Sequence, residues 1–368
     1  MAQENYTSPA AFYGALKHKA QLLARSENLS VADILTSYFF SRLVARVFFA
    51  QPNKWIVKGG HALLLRYAAA ARLSQDIDIQ HSEAAEIDEA VAELLKAAAH
   101  DLNDYLTFAP ARTSLHENGA AAAKQLFRVH MGTHEVGVLR VDVVARQALT
   151  VTPDARRVAP LIDLAWPVDW PQAQLYPIVN QLADKVCAMF ERHHGSPSSR
   201  YRDLADILLI SQQESLDGPY AQLALRTEAR RRRIAGVDIV LPESFQPPGP
   251  AWPERYPAAA RQVPGLKGCA TWNEAALAAE AFLSPLLGPG PPGHWNATAG
   301  TWHTQPTARQ DQSESPQVRR VRVIAAEARA RSEAPELPVP PRPSGREPFR
   351  GHPDLPPRGT GPRTGPSR

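Results

Sequence analysis

Lys58-Gly59-Gly60-His61 is followed, after a stretch rich in Ala and Leu, by Arg72-Leu73-Ser74-Gln75-Asp76-Ile77-Asp78-Ile79. The paired glycines call for a sharp turn. The alternation after Ser74 calls for a strand. Residues i and i+2 of a strand share one face, so Asp76 and Asp78 project side by side while Ile77 and Ile79 turn into a core. Two adjacent carboxylates repel each other unless a cation sits between them. Hard oxygen donors suit Mg²⁺, and the chemistry that most needs such a pair is metal-assisted phosphoryl or nucleotidyl transfer.

A second strand pair is predicted downstream, over Gln125–Met131 and Val136–Ala145, with Gly132-Thr133-His134 as the hairpin turn. Asp142 is the one acid in its β-branched run and has opposite parity to Val141 and Val143. It is either a third carboxylate of the site or an exposed strand acid paired with Arg140 or Arg146. Other expected elements are a strand over Lys54–Val57, helices over His61–Ala71 and 83–107, and the metal-ligand strand over Leu73–Ile79. Residues 8–50 read as helices. Ser30 and Asp33 resemble a capping box ahead of an apolar stripe through Leu35, Phe39, Leu43 and Val47, which faces a core.

Helical periodicity resumes over 178–193, where Gln181, Lys185, Ala188 and Arg192 share a face. Arg200-Tyr201-Arg202-Asp203-Leu204-Ala205-Asp206-Ile207 follows the break at His193–Pro197. Asp203 and Asp206, at i and i+3, lie on one side of that helix. Lysine is a mobile point charge suited to a phosphate, whereas Lys185, Arg192, Asp203 and Asp206 taken alone also read as ion pairs. Arg230-Arg231-Arg232-Arg233 is the dense basic cluster ahead of the tail. It reads as an RNA contact, a solvated helix face or a partner-docking site. The Pro-rich segment Leu241–Pro264 reads as surface loop. Thr271 opens a helix to Leu287, and Trp295 and Trp302 read as a clasp.

Two apparent motifs carry no chemistry. Gly288-Pro289-Gly290-Pro291-Pro292-Gly293 matches a dinucleotide pattern but has prolines where backbone donors are needed. His193-His194 lacks the spacing of helical metal ligands.

The run Lys58-Gly59-Gly60-His61-Ala62-Leu63 followed by Arg72-x-Ser74-x-Asp76-Ile77-Asp78 resembles the AbiEii/AbiGii-type toxin family, within the polymerase-β-like nucleotidyltransferases. So does Ala183-Asp184-Lys185 followed by Arg200-x-Arg202-Asp203-Leu204-x-Asp206-Ile207. Many relatives carry Thr or Ser where this chain has His61. The resemblance implies an α+β fold, with a nucleotidyltransferase core of small mixed sheet and flanking helices. It implies N-terminal helices over 1–50, the core over 51–150, and a mainly helical C-terminal lobe over 151–302 that completes the site.

The resemblance further implies a Mg²⁺-dependent toxin of a toxin–antitoxin or abortive-infection system. It would transfer NMP from NTP to an acceptor hydroxyl, the tRNA 3′ end being the first candidate, beside a cognate antitoxin encoded nearby. Asp76, Asp78 and Asp142 are the implied ligands of a two-metal site. Asp76, Asp78, Asp142, Lys185 and Asp203 or Asp206 are the catalytic candidates. Lys58, Gly59, Gly60, Ser74, Lys185 and Arg192 are the nucleotide-binding ones. The alternatives are nucleotidylation of a protein or small molecule on the same fold, and a non-catalytic nucleotide-binding module.

Composition narrows the setting. The net charge of +4 is concentrated after His303, where twelve Arg face seven acidic residues, so the remainder is near neutral and any nucleic-acid contact there is local. That Pro/Arg-rich tail, 303–368, is expected to be disordered, with Val321–Arg331 sampling helix. No apolar run of about 18 residues predicts a membrane span. Two cysteines without zinc spacing fit a reducing cytoplasm.

Overall fold

The computed structural model describes residues 6–27, 29–115, 122–162, 164, 166 and 170–303. The expectation for the tail, including the helix over 321–331, lies outside those residues.

Period-2 burial writes a seven-stranded mixed sheet. Its strands in chain order are β1 (Trp55–Lys58), β2 (Ile77–His81), β3 (Leu106–Leu115), β4 (Ala122–Met131), β5 (His134–Val144), β6 (Asp154–Arg157) and β7 (Gln172–Leu175), arranged β3-β4-β5-β2-β1-β7-β6. β1 runs antiparallel to β2, and β2 runs parallel to β5. Helices α1 (Pro9–Glu27), α2 (Val31–Ala50) and α4 (Ile87–Ala98) share a core with the sheet, while α3 (Gly59–Tyr67) leads off β1. The architecture is α+β, as expected.

A second core collects α5 (Ile178–Phe190), α6 (Tyr201–Gln213), α7 (Gly218–Ile234), α8 (Trp252–Ala260) and α9 (Trp272–Leu287). β6 and β7, in the stretch expected to open this lobe, instead extend the sheet. A hairpin over 294–303 closes the lobe. Its Trp295 donates to Ser211 O at 2.7 Å and its Trp302 stacks on Phe282, so the expected tryptophan clasp is present. Thr271 and Glu274 form a capping box at the head of α9. Among the described residues no helix is long and apolar enough to cross a membrane.

Four further expectations are corrected. The strand read as Leu73–Ile79 begins at Ile77, next to the point where β1 ends at Lys58 opposite Asp78 and Gly59 turns the chain at φ +65°. Burial nevertheless alternates as predicted through Asp76, Ile77, Asp78 and Ile79.

The helix read as 83–107 covers only Ile87–Ala98. Asn103 and Tyr105 take positive φ and reverse the chain into β3. The Pro-rich 241–264 contains α8. Pro253 sits in its first turn, where a missing N–H costs little, and Trp252 and Tyr256 anchor it by donating to Ser198 O and Cys269 O. Finally, α2 is buried almost all round in its second half rather than on one stripe. Arg42 and Arg46 are tolerated there because both donate to the buried Asp104 carboxylate.

Candidate active site

β1, β2 and β5 bring their polar side chains into one row. Lys58 lies opposite Asp78, Asp78 opposite Asp142, and Asp142 opposite Lys124 of β4. The parity argument for Asp142 therefore puts it beside Asp78, and Lys124 Nζ stands 3.5 Å from its carboxylate. Asp76 lies just before β2 and accepts from Ser74 Oγ at 3.3 Å. Lys58, Ser74, Asp76, Asp78 and Asp142 line a cleft of about 800 Å³ between the two cores, with Lys185, Arg200, Arg202, Asp203 and Arg255 on the lobe side.

Asp78 is the electrostatic focus. Burial pushes its carboxyl up to about 7, and the negative charges of Asp76 and Asp142 push the same way, with Lys58 and Lys185 only partly offsetting them. The paired glycines answer to this carboxylate. A Cβ on Gly59 would lie 1.7 Å from Asp78 Oδ2, and one on Gly60 would lie 2.8 Å from Ser74 Oγ. The glycines thus admit the backbone of α3 against the acids.

The turn is clamped from α5. Gly59 N–H donates to Gln181 Oε1 at 3.1 Å, and Gln181 Nε2 donates to Gly59 O at 3.2 Å. Gln181 stands one helical turn before Lys185, so a single helix face carries both. Lys58, over the Tyr176 ring, reaches Asp184 at 3.4 Å, and Asp184 also pairs with Arg232. Burial alone would raise the Asp184 carboxyl, but Lys58 and Arg232 hold it well below the usual range.

Lys185 Nζ contacts Asp203 Oδ1 at 2.8 Å and Asp206 Oδ2 at 2.7 Å. Arg72 grips Asp206 through two bonds of 3.1 and 3.0 Å. Asp206 is 1% exposed and sits behind the cleft wall, whereas Asp203 lines the cleft and also faces Arg200. Burial opposes the charge on Lys185 and on Asp206, yet their pairing keeps the lysine above and the aspartate below its ordinary pKa.

Arg192 falls outside this assembly. It follows α5 in a short hairpin, exposed, and does not line the cleft. His61 points away as well. It is fully buried, its ring edge-on to Phe40 at 5.8 Å, and burial lowers it to about 4. Neither ring nitrogen has a partner among the described residues. Replacing two unsatisfied polar atoms by carbon removes a desolvation penalty. His61→Leu is therefore expected to stabilise the protein by about 1 kcal/mol without changing nucleotide affinity. Thermal unfolding checks this, and a lower melting temperature would contradict it.

The arginine cluster is divided. Arg231 and Arg232 pair with Glu228, and Arg232 also pairs with Glu191, which leaves the tetrad structural on one side. Sequence reasoning gave Gln181 and Arg255 no role, quoted Arg72 and Asp184 only within motifs, and read Arg232 only as one of a basic cluster. The spacing of Gln181 to Lys185 was the one available signal.

Donor chemistry fits a divalent cation. Asp76, Asp78 and Asp142 offer hard oxygens whose mutual repulsion a cation would relieve. They do not form a closed ligand cluster among the described residues.

The family model described as nucleotidyl transferase AbiEii toxin, type IV TA system, matches residues 42–301. Among solved structures the chain is similar to MenT4, a nucleotidyltransferase toxin from Mycobacterium tuberculosis H37Rv. The two share 19% identity with a TM-score of 0.45, over 70% of this chain and 93% of that one. No curated protein matches.

Proposed function

The chain belongs to the AbiEii nucleotidyltransferase toxin family of type IV toxin–antitoxin systems, and from that premise we propose that it transfers the nucleoside monophosphate of an NTP to a hydroxyl of RNA. The observation that carries this reading is the row of Asp78 and Asp142, with Asp76 beside it, facing the cationic lobe wall across one cleft. In this reading the acceptor oxygen bonds to the α-phosphorus, the bond from that phosphorus to the bridging oxygen breaks, and pyrophosphate leaves.

Asp76, Asp78 and Asp142 would hold Mg²⁺, which when bound supplies positive charge against the triphosphate. Asp142 would draw the proton from the acceptor hydroxyl. Lys58 balances Asp78 within the row. Lys185, Arg200 and Arg202 face charge building on the leaving group. Because Lys185 is already bonded to two carboxylates, it acts from a fixed position rather than as a free arm. Gly59 and Gly60 set the approach of α3, and Gln181 holds that turn. Arg255, with the exposed Arg200 and Arg202 at the head of α6, suits an RNA backbone at the rim, with the tRNA 3′ end as the first acceptor to test. Family membership implies a cognate antitoxin.

The deciding experiment incubates the protein with Mg²⁺, each α-labelled NTP and total tRNA, beside Asp76→Ala. Label on tRNA that disappears in the variant is the expected result. Label on protein would move the acceptor to a side-chain hydroxyl. Persistent transfer by the variant would remove the assignment.

A further inference from the structure

Along β3, β4 and β5 the packed helices cover one side of the sheet only. In β4 the side chains of Ala123, Gln125, Phe127 and Val129 are buried, and those of Lys124, Leu126 and Arg128 alternate with them on the other side. Cross-strand register extends that open side in both directions. Lys124 lies between Ser114 of β3 and Asp142 of β5, and Leu126 lies between Arg112 of β3 and Arg140 of β5. The row of Lys58, Asp78 and Asp142 therefore runs on into Lys124 and Ser114, with Arg140, Leu126 and Arg112 as the next row along the strands.

Away from the acids this open side is cationic. Arg112, Arg128 and Arg140 are exposed, and Lys124 is half-buried beside Asp142. Glu135, 3.6 Å from Arg128, is the other carboxylate on this side among the described residues. Cations on an edge strand deter pairing with another chain, which accounts for Arg112 on β3. It does not account for Lys124, Arg128 and Arg140, because β4 and β5 are inner strands. Internal ion pairing does not account for Arg112 and Arg140, which have no carboxylate partner among the described residues.

Their position suits a polymeric acceptor. Arg140 stands two residues before Asp142, roughly 7 Å along β5, and Arg112 lies on the second strand over, roughly 10 Å across the sheet. The lobe wall with Lys185, Arg200 and Arg202 faces the acids from across the cleft. In-line displacement puts the attacking and leaving oxygens on opposite sides of the phosphorus. A leaving group held toward the lobe wall thus leaves the sheet side for the attacking strand. Guanidinium forks bind phosphate through paired N–H donors, so arginines on that side match a phosphodiester backbone.

We propose that the open face of β3, β4 and β5 is the bed on which the RNA acceptor lies, its phosphates held by Arg112 and Arg140 and its reacting hydroxyl delivered to the acid row. This rests on the nucleotidyl-transfer reading and adds to it the side from which the acceptor arrives.

The test measures binding of fluorescently labelled total tRNA to the full chain, without NTP or Mg²⁺, across a salt series. Arg112→Gln combined with Arg140→Gln is expected to weaken binding about tenfold at low salt and to lower the slope of log Kd against log salt by roughly 1.5. Arg25→Gln combined with Lys96→Gln removes the same charge from exposed positions on α1 and α4, the helices covering the other side, and should leave both quantities near their original values. Val138→Glu, at an exposed position opposite Arg128 and two residues before Arg140, is an independent variant that should also weaken binding. Unchanged binding in the double arginine variant or in Val138→Glu overturns the proposal. So does equal weakening in the Arg25 and Lys96 variant. Displacement of the label by poly-L-glutamate as effectively, charge for charge, as by unlabelled tRNA would make the face a dock for an acidic protein and overturn it too.

Transfer is followed separately. In the double arginine variant the KM for tRNA should rise with kcat nearly unchanged, since neither arginine touches the reacting atoms. Asp76→Ala should keep tRNA binding and lose transfer. Transfer persisting in Asp76→Ala would strike the transfer reading while the binding result stands, and tRNA binding unchanged in the arginine variant would strike the acceptor bed while the transfer reading stands.

Discussion

Asp78→Asn is expected to lower nucleotidyl transfer by at least about a hundredfold, the scale of losing a strong electrostatic group, and at the same time to raise the melting temperature at pH 8. The two effects share one cause. The Asp78 carboxyl is pushed up to about 7 from an ordinary value near 3.8, so between those pH values the folded state holds a proton that the unfolded chain has released. Stability must then fall as pH rises through that window. Above it the folded protein carries a penalty on the order of 3 kcal/mol, reduced by screening because the residue is only half-buried.

Asparagine keeps the shape that Gly59 accommodates and removes the charge. The gain should be several degrees, roughly 2–4 °C for each kcal/mol in a domain of this size. It should vanish near pH 4, where Asp78 is protonated anyway. Mg²⁺ should raise the melting temperature of the natural protein and leave the variant unmoved. A variant that melts lower at pH 8 would mean that Lys58 already satisfies the carboxylate, and it would sink the electrostatic account.

What was legible in the chain follows from the range of the interactions involved. Asp76, Asp78 and Asp142 were readable because alternation within a strand is local and a short hairpin and parallel pairing then set the register. The capping of α2 by Ser30 and of α9 by Thr271 was readable for the same reason. β3 was not, because Thr107, Pro110, Arg112, Thr113 and Ser114 offer weak strand patterning on an edge.

α8 was hidden by composition. Prolines that argue against a helix interior are tolerated when Trp252 and Tyr256 are anchored. The site's bracing was equally out of reach. Gln181 and Gly59 are 122 residues apart, Arg72 and Asp206 134. Such bonds exist only once two cores have docked. His61 shows the converse error, since its neighbours in sequence are at the site while its ring lies in the core.

The same docking makes Asp206 the residue whose loss should cost most stability. Its carboxylate is shared by Arg72, from the segment leading into β2, and Lys185, from α5. Asp206→Ala would take from the partly buried Arg72 the carboxylate it grips through two bonds and would leave the buried Lys185 with Asp203 alone. Removing one partner of a buried pair costs roughly 3–5 kcal/mol, which should lower the melting temperature by about 10 °C. Asp203→Ala should cost much less, because Lys185 keeps Asp206 and the lost group faces the cleft and the exposed Arg200. Transfer should respond the other way when compared at a temperature where both variants are folded, since Asp203 lines the cleft and Asp206 acts through Lys185 and Arg72. The Asp206 effect should also be coupled to Arg72. With Arg72→Met already present, the further loss on Asp206→Ala should shrink by 1 kcal/mol or more. Equal, small stability losses at Asp203 and Asp206, or strict additivity with Arg72, would show that the two cores are held together by something other than this shared carboxylate.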